Sequence, residues 1–263
     1  MNKSLNTVVI KVGTSTLTHA SGMLNIRKIE ELCKIISDLQ NSGLKVILVS
    51  SGAVSAGRTK LRLHGVSLST EQKQAAASIG QCELMDMYGR NMAMYSHTVG
   101  QILLTKDVLD NPERRQNAEN TFRILLESNI IPIVNENDSV SCEGIRFGGN
   151  DTLAAYVALL AHADLLINLS DVGGLYDSDP RKNANAKLID MVEDIQSIKH
   201  FAAGAGTDRG TGGMIAKLEA AEIVTNCGIP MRIADGASPS ILYDICEGKA
   251  KGTLFAAKEI KSC

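Results

Sequence analysis

Six short runs of Val, Ile and Leu recur along the chain, separated by longer segments in which apolar residues return at helical spacing. Most of these runs are apolar throughout, a pattern typical of strands that are buried on both faces of a parallel sheet. They predict strands at Thr7–Val12, Lys45–Val49, Thr98–Leu104, Ile130–Val134, Leu165–Leu169 and Met231–Ala234.

The segments between these runs predict helices. The clearest follows Asn25, which can cap it, and ends at Gly43. Its apolar stripe consists of Ile26, Ile29, Leu32, Cys33, Ile36 and Leu39. Further helices are predicted at Glu71–Tyr95, Glu113–Ser128, Asp151–Ala161 and Gly213–Asn226. Strands that alternate with helices in this way predict an α/β layered fold with right-handed crossovers.

Length and composition narrow the class of protein. The 263 residues suit one large domain or two small ones, and without a linker, repeat or low-complexity tract we expect a single domain over residues 1–263. A net charge of -2, no basic run, 3% aromatic residues and no Trp argue against a nucleic-acid or membrane-surface partner.

Cysteine and histidine positions argue against a metal site made by the protein. The six cysteines include no CxxC pair, and no two of the five histidines have metal-ligand spacing. We expect reduced thiols in a cytoplasmic protein. The first residues lack the pattern of a signal peptide, and His162 and Asp164 interrupt the longest apolar region, so no membrane span is expected.

Candidate chemistry follows the predicted strands, because ligands of open parallel sheets bind at the carboxyl ends of strands. Lys11–Ser15 places a lysine beside a glycine turn, which suits a phosphate group. Ser50–Ala53 consists of small residues whose amides can face a ligand. Taken alone, each stretch is explained as well by an ordinary tight turn.

Four more places carry polar groups or glycines at strand or helix ends. Asn135–Asp138 is costly to bury unless it binds something, although a solvated turn fits too. Asn150 opens a helix that can hold a carboxylate, or simply caps it. Ser170–Tyr176 suits the edge of a nucleotide or an Asx turn. Gly210–Lys217 feeds a helix and suits phosphate, but its spacing matches neither a Walker A motif nor a dinucleotide fingerprint.

Taken in order, these motifs resemble the amino acid kinase family and, within it, the branch that phosphorylates glutamate. The matching stretches are Lys11–Ser15 (KVGTS), Ser50–Gly57 (SSGAVSAG), Asn135–Asp138 (NEND), Asp171–Pro180 (DVGGLYDSDP), Gly210–Lys217 (GTGGMIAK) and Lys251–Phe255 (KGTLF). Aspartate and acetylglutamate kinases usually carry a second glycine where Thr14 stands here.

The resemblance implies a three-layer α/β/α sandwich around a mostly parallel sheet of about eight strands. It implies ATP-dependent phosphorylation of the γ-carboxylate of L-glutamate, with Mg²⁺, to glutamyl 5-phosphate in the first step of proline biosynthesis. It further implies feedback inhibition by L-proline, a homo-oligomer (dimer or tetramer), and no protein ligands to a metal.

The resemblance also assigns residues. Lys11 and Lys217 match the catalytic lysines that contact the phosphates. The substrate positions are Ser51, Gly52, Asp138 and Asn150, with Asp138 on the α-ammonium group and amides near Ser51 and Asn150 on the carboxylates. The ATP positions are Lys11, Ser170, Asp171, Thr211, Gly212, Gly213, Met214, Ile215, Ala216 and Lys217.

Two departures from the family pattern stand out. Gly149 occupies the place of the first aspartate in the FGDND motif, and the chain ends at Cys263, where many members continue into a PUA domain. The missing carboxylate leaves an alternative open, an amino-acid-binding regulator without turnover. A kinase of the same fold that acts on another small acid, such as acetylglutamate or carbamate, is the second alternative.

Overall fold

Eight strands of this chain form one sheet. The computed structural model describes residues 5–19, 21–63, 66–140, 149–198, 211–249 and 251–259, with the backbone alone at 211–212. The strands are β1 (Thr7–Val12), β2 (Lys45–Val49), β3 (Val99–Leu104), β4 (Ile131–Glu136), β5 (Leu165–Ser170), β6 (Met191–Val192), β7 (Met231–Asp235) and β8 (Thr253–Phe255). The helices are α1 (Thr14–Leu17), α2 (Ile26–Asn41), α3 (Ala53–Lys60), α4 (Thr70–Ala93), α5 (Asp107–Asp110), α6 (Pro112–Glu127), α7 (Asn150–Leu160), α8 (Thr211–Asn226) and α9 (Ile241–Cys246).

The strand order is β3-β4-β2-β1-β5-β7-β8-β6. Each neighbouring pair is parallel except β7 and β8, which are antiparallel. The predicted eight-stranded, mostly parallel sheet is therefore confirmed. In its centre, the register of β1 places Lys11 opposite Val49 on one side and Asn168 on the other.

Helices cover both faces of the sheet, which confirms the three-layer arrangement. Successive side chains of a strand point to opposite faces. Val8, Ile10 and Val12 of β1 pack in the core beneath α2, α4 and α9, whereas Val9 packs in the core beneath α6, α7 and α8. Lys11 follows Val9 by two positions, so its side chain lies on the face that α7 and α8 cover.

The long predicted helices occur within two residues of their expected ends. Asn25 caps α2, since its side-chain oxygen accepts a hydrogen bond from the amide of Lys28 at 3.2 Å. Ile26 is wrong as a member of the buried stripe: it is 55% exposed, because it opens the helix beyond the edge of the core. No helix in the described ranges is long and apolar enough to cross a membrane.

The elements that the sequence did not predict are short or lack an apolar stripe. They are α1, α3, α5, α9, β6 and β8. The larger difference concerns Asn135 and Glu136, which the sequence placed after a strand that ends at Val134, in a stretch that either binds something or forms a solvated turn. Both residues are buried within β4.

Candidate active site

Two lysines from distant parts of the chain meet on one carboxylate. Lys11 Nζ lies 2.7 Å from Asp151 Oδ1, and Lys217 Nζ lies 3.3 Å from Asp151 Oδ2. All three side chains are buried. Lys217 also donates to the carbonyl oxygen of Gly213 at 3.3 Å. The structure therefore brings together the two lysines that the sequence assigned to the phosphates.

Burial and charge act in opposite directions on this cluster. Burial lowers the pKa of Lys11 below its ordinary value, and the negative charge of Asp151 offsets part of that effect. For Asp151, burial raises the pKa, but the positive charges of Lys11 and Lys217 outweigh it and the net pKa is lowered. Asp151 is therefore an anion that keeps two neighbouring cations in place.

The N-terminus of α7 supplies Asp151 and positions it. Asn168 on β5 donates to Asp151 Oδ1 at 2.7 Å, which fixes the carboxylate from the strand side. The helix begins after Gly149, whose φ of 118° and ψ of 170° fall in a region open essentially to glycine alone. Glycine at this position is thus required by the local backbone, and an aspartate there would strain it.

A cleft of about 490 Å³ opens beside Lys11. It contains all four predicted substrate positions. The residues that line it are Lys11, Gly13, Thr14, Ser51, Gly52, Ala53, Val54, Ser55, Arg58, Asn135, Asp138 and Asn150. Ser51 and Gly52, which follow β2, and the first residues of α3 line one part of this cleft. The φ of Gly52, directly before α3, is 93°.

Asn150 lines this cleft, and hydrogen bonds hold its side-chain amide in place. Its NH₂ group lies within hydrogen-bond distance of three acceptors, the carbonyl oxygen of Ser50 at 2.6 Å, Ser51 Oγ at 2.8 Å and Asn135 Oδ1 at 3.2 Å, and it shares its two hydrogens among them. Asn135 in turn donates to Gln81 Oε1 at 3.0 Å and accepts from the amide of Glu136 at 2.9 Å. These partners explain why Asn135 can be buried inside a strand.

The predicted nucleotide positions other than Lys11 lie at or directly after the end of β5 and in the first turns of α8. Ser170 is the last residue of β5, and its hydroxyl lies 3.2 Å from Asp171 Oδ1. Gly213 to Lys217 form the first turns of α8. Gly210 and the side-chain positions of Thr211 and Gly212 lie outside the described residues, as do Phe147 and Gly148.

No motif in the sequence points to Asp151, which the structure places between the two lysines. The sequence assigned no role to it beyond opening a helix. The available signal was a pair of polar residues, Asn150 and Asp151, directly before an apolar helix. The structure shows that these neighbours diverge, with Asn150 on the cleft and Asp151 on the lysines.

An α/β/α sandwich with one buried lysine near the carboxyl end of its central strand β1 and a second buried lysine on helix α8 defines a class of proteins that bind phosphate-bearing ligands. A comparison with protein families narrows this class. The sequence pattern of the "Amino acid kinase family" matches residues 6–235, and the chain belongs to that family.

Curated relatives cover almost the whole chain. The glutamate 5-kinase of Clostridium perfringens (strain 13 / Type A) is 50% identical over 262 residues, 98% of this chain and 97% of the relative. The glutamate 5-kinase of Listeria monocytogenes serovar 1/2a is 47% identical over 98% of this chain and 95% of its own.

Solved structures show the same fold at low sequence identity. Carbamate kinase from Giardia lamblia bound to AMP-PNP has a TM-score of 0.69 at 17% identity and covers 97% of this chain and 99% of its own. UMP kinase from Bacillus anthracis has a TM-score of 0.67 at 16% identity, over 97% of this chain and 98% of its own. These neighbours confirm the amino acid kinase fold.

Proposed function

We propose that this chain transfers the γ-phosphoryl group of ATP to the γ-carboxylate of L-glutamate, giving glutamyl 5-phosphate in the first step of proline biosynthesis. The observation that carries the proposal is the pairing of Lys11 and Lys217 on Asp151, between a cleft suited to an amino acid and the nucleotide positions. The identity of about half to glutamate 5-kinases supports the choice of glutamate.

The reaction asks for positioning and positive charge. Phosphoryl transfer passes through a loose transition state with negative charge on the oxygens of the transferred group. In this proposal Lys11 and Lys217 stabilise that charge from two sides, and Asp151 holds both ammonium groups in place. The attacking carboxylate is already ionised at neutral pH, so no general base is needed.

Glutamate would lie in the cleft beside Lys11. Ala53 and Val54 line the cleft at the start of α3, where no side chain of the described residues caps the helix. Backbone amides at such an end attract a carboxylate. Asp138 lines the same cleft and would hold the α-ammonium group.

Mg²⁺ would arrive on the phosphates of ATP. The described part of the chain holds no group of three or more His, Cys, Asp or Glu that could bind a metal, and both oxygens of Asp151 already contact lysines. This donor set fits an ion that keeps phosphate and water ligands. Such an ion supplies charge neutralisation on the phosphates when bound.

The test is formation of an acyl phosphate, trapped with hydroxylamine, with ATP and Mg²⁺. The acceptors are L-glutamate, L-aspartate, N-acetylglutamate, carbamate and none. We expect product with L-glutamate alone. Product with another acid would favour a kinase of different specificity. Glutamate binding without any product would favour the regulator.

L-Proline is proposed as a feedback inhibitor at the same cleft, since it offers the same α-carboxylate and a charged amine to Asp138. Competition between L-proline and L-glutamate in the same assay tests this, and inhibition that glutamate cannot relieve would contradict it.

A homo-oligomer, dimer or tetramer, is proposed as the working form. Support comes from Ile79, Met94 and Tyr95, which are exposed along α4 and directly after it. Light scattering on the purified protein tests the assembly, and a monomer at assay concentration would contradict it.

We propose one amino acid kinase domain over residues 1–263, supported by the single sheet that elements from residue 7 to residue 255 build. We also place the reaction in the cytoplasm. The four described cysteines, Cys33, Cys82, Cys227 and Cys246, are free thiols, as expected in a reducing compartment.

A further inference from the structure

A buried glutamine on α4 contacts a residue that lines the cleft beside Lys11. Helix α4 covers the face of the sheet opposite to the face on which the Lys11 side chain lies. Gln81 is 8% exposed, and its Oε1 accepts from Asn135 Nδ2 at 3.0 Å. Gln81 itself does not line the cleft, but Asn135 and Asn150 do. Three side-chain amides therefore run in series from the core of the protein to the surface that meets the ligand.

Contacts with backbone groups identify which end of each amide in this series is the oxygen and which is the NH₂ group. The amide N–H of Glu136 can only donate, so the atom of Asn135 that it contacts must be Oδ1. The carbonyl oxygen of Ser50 can only accept, so the atom of Asn150 that it contacts must be Nδ2. The NH₂ group of Asn135 then points to Gln81, so the atom of Gln81 that accepts this hydrogen bond must be Oε1.

This order has a consequence for the ligand. Asn150 uses its NH₂ group on Ser50, Ser51 and Asn135. The end of the Asn150 amide that can serve a ligand is Oδ1, which only accepts hydrogen bonds. An acceptor in a cleft that Asp138 also lines favours an ammonium group over a carboxylate. The sequence expectation that amides near Ser51 and Asn150 hold the carboxylates stays a prediction for the backbone amides.

We infer that Gln81 is a positioning residue, which locks Asn135 and through it turns Asn150 Oδ1 toward the α-ammonium group of the substrate. The inference rests on the proposed function, since the substrate must be an amino acid. Without the oxygen at position 81, Asn135 Nδ2 loses its partner, and the Asn135 amide is then held only through Oδ1, by the amide N–H of Glu136 and by Asn150. A shift of the Asn135 amide lengthens the contact between its Oδ1 and Asn150 Nδ2, which is 3.2 Å in the structure.

The glutamine nitrogen adds a second argument. Gln81 Nε2 is buried and has no hydrogen-bond partner among the described residues. A side chain that served only the stability of the core would be cheaper as Leu or Met, because a buried unpaired donor is costly. The oxygen is thus the part of Gln81 that the structure uses.

The experiment compares Gln81→Met with Gln81→Glu. The methionine side chain at position 81 keeps the length of glutamine without an oxygen acceptor. A glutamic acid side chain at the same position keeps an acceptor oxygen in either protonation state. Calorimetry measures the Kd of L-glutamate and of glutarate, the same dicarboxylate without the amino group. Steady-state assays measure kcat and the KM values for glutamate and ATP.

For Gln81→Met we expect the Kd and KM of L-glutamate to rise about tenfold, the loss of one well-placed hydrogen bond to a charged group. The Kd of glutarate, the KM of ATP and kcat should stay within about twofold, because none depends on Asn150 Oδ1. For Gln81→Glu we expect glutamate binding within about threefold of the wild type.

Gln40→Met is the matched control. Gln40 is also a buried glutamine, with hydrogen bonds to Asn129 Oδ1 at 2.7 Å and from the amide of Val46 at 3.0 Å, far from the cleft. Its loss should lower Tm and leave the Kd of glutamate unchanged. An equal rise in the Kd of glutarate for Gln81→Met, unchanged glutamate binding, or the same shift in Gln40→Met would each overturn the inference.

Binding and turnover separate this inference from the proposed function. A wild-type protein that binds L-glutamate without phosphorylating it contradicts the proposed reaction, whereas the ratio between glutamate and glutarate still decides the role of Gln81. A wild-type protein that binds no L-glutamate overturns both.

Discussion

Asp151 solves an electrostatic problem that two buried lysines create. In the proposed function Lys11 and Lys217 act as cations on the transferred phosphoryl group, yet the positive charge of Lys217 lowers the pKa of Lys11. A single carboxylate between them provides one oxygen for each ammonium group. Lys11, Lys217 and Asp151 together therefore carry one net positive charge, and each of the two ammonium groups has a carboxylate oxygen beside it. In the proposed function this positive charge meets the phosphates of the ligand.

The first prediction concerns pH and Asp151→Asn. In the wild type, burial holds the pKa of Lys11 below 10.5 and the Asp151 charge opposes this. As pH rises through that pKa the Lys11 cation is lost, so kcat/KM for ATP should decline on the alkaline side. Removing the Asp151 charge lowers the pKa of Lys11 further, so the decline should begin at lower pH in Asp151→Asn.

The measurement is the pH profile of kcat/KM for ATP between neutral pH and the onset of unfolding. Asp86→Asn serves as the control, because Asp86 is exposed and pairs with Arg90 on the surface of α4. An Asp151→Asn profile with its alkaline limb unmoved, or moved to higher pH, would contradict the role of Asp151.

The second prediction concerns Lys217→Ala. If Lys217 meets the transferred group, its removal should lower kcat by roughly 100-fold or more, the loss of one electrostatic donor to a transition state. Single-turnover and steady-state rates measure this. Lys249→Ala, which removes an exposed lysine paired with Asp244 and Glu247, should leave kcat within about twofold. An unchanged kcat in Lys217→Ala would remove it from the reaction.

At the scale of elements, α3 and α4 pack backbone against backbone. A Cβ atom at Gly57 on α3 would lie 1.8 Å from the carbonyl oxygen of Ala76, and one at Gly80 on α4 would lie 1.8 Å from that of Ala53. Neither carbonyl can move aside as a flexible side chain could. This contact sets the depth of α4, and hence of Gln81, against the helix whose N-terminus lines the cleft.

The third prediction follows from that contact. Gly80→Ala should lower the free energy of unfolding by about 1–3 kcal/mol, because the two helices must separate. It should also raise the KM for glutamate, since α3 moves with the cleft. Gly89→Ala on the same helix meets only Val99 Cγ2 at 3.8 Å, so its stability should be unchanged or raised by about 0.5 kcal/mol.

Urea unfolding of both variants gives the free energies, and steady-state rates give the KM values. Equal stability of Gly80→Ala and Gly89→Ala would show that the close approach of α3 and α4 is not needed.

The same helices show what the sequence could and could not predict. The main strands and α2 follow from apolar runs, a capping Asn25 and a terminal Gly43, all of which are local signals. Helix α3 has no apolar stripe, because it packs through small residues and its signal lies in the partner helix. The sequence left open whether Asn135 binds something or lies in a solvated turn, because its partner Gln81 is 54 residues away and local polarity does not reveal a distant partner.

The candidate site was predicted in its members and not in its connections. Lys11, Ser51, Asp138 and Asn150 were named and the structure gathers them at one cleft. Asp151 was not, because its role depends on Lys217, which is 66 residues away in sequence. Motifs in the sequence identify which residues follow strands. Which of these residues contact each other depends on the order of the strands in the sheet, and local sequence does not show that order.

At the scale of the whole molecule, the strand order separates the cleft from the predicted nucleotide positions. β4 and β2 lie on one side of β1, and residues at or directly after the ends of these strands line the cleft. β5 and β7 lie on the other side of β1 and carry the nucleotide positions, Ser170 and Asp171 among them. Lys11 lies on β1, the strand between the two halves, so in the proposed function its ammonium group can reach both substrates.

The last prediction uses this division. Asp138→Ala should weaken the binding of L-glutamate by at least tenfold and leave ATP binding within about twofold, because Asp138 lies in the amino-acid cleft alone. Asp171→Ala should do the reverse, since it follows β5 on the nucleotide side. Equilibrium binding of each ligand to both variants gives four dissociation constants. A selective loss in each variant would mean that the sheet holds two sites that meet only at the lysines. Equal loss of both ligands in either variant would mean instead that the two halves of the sheet form one cooperative pocket, and the separate roles of Asp138 and Asp171 would be wrong.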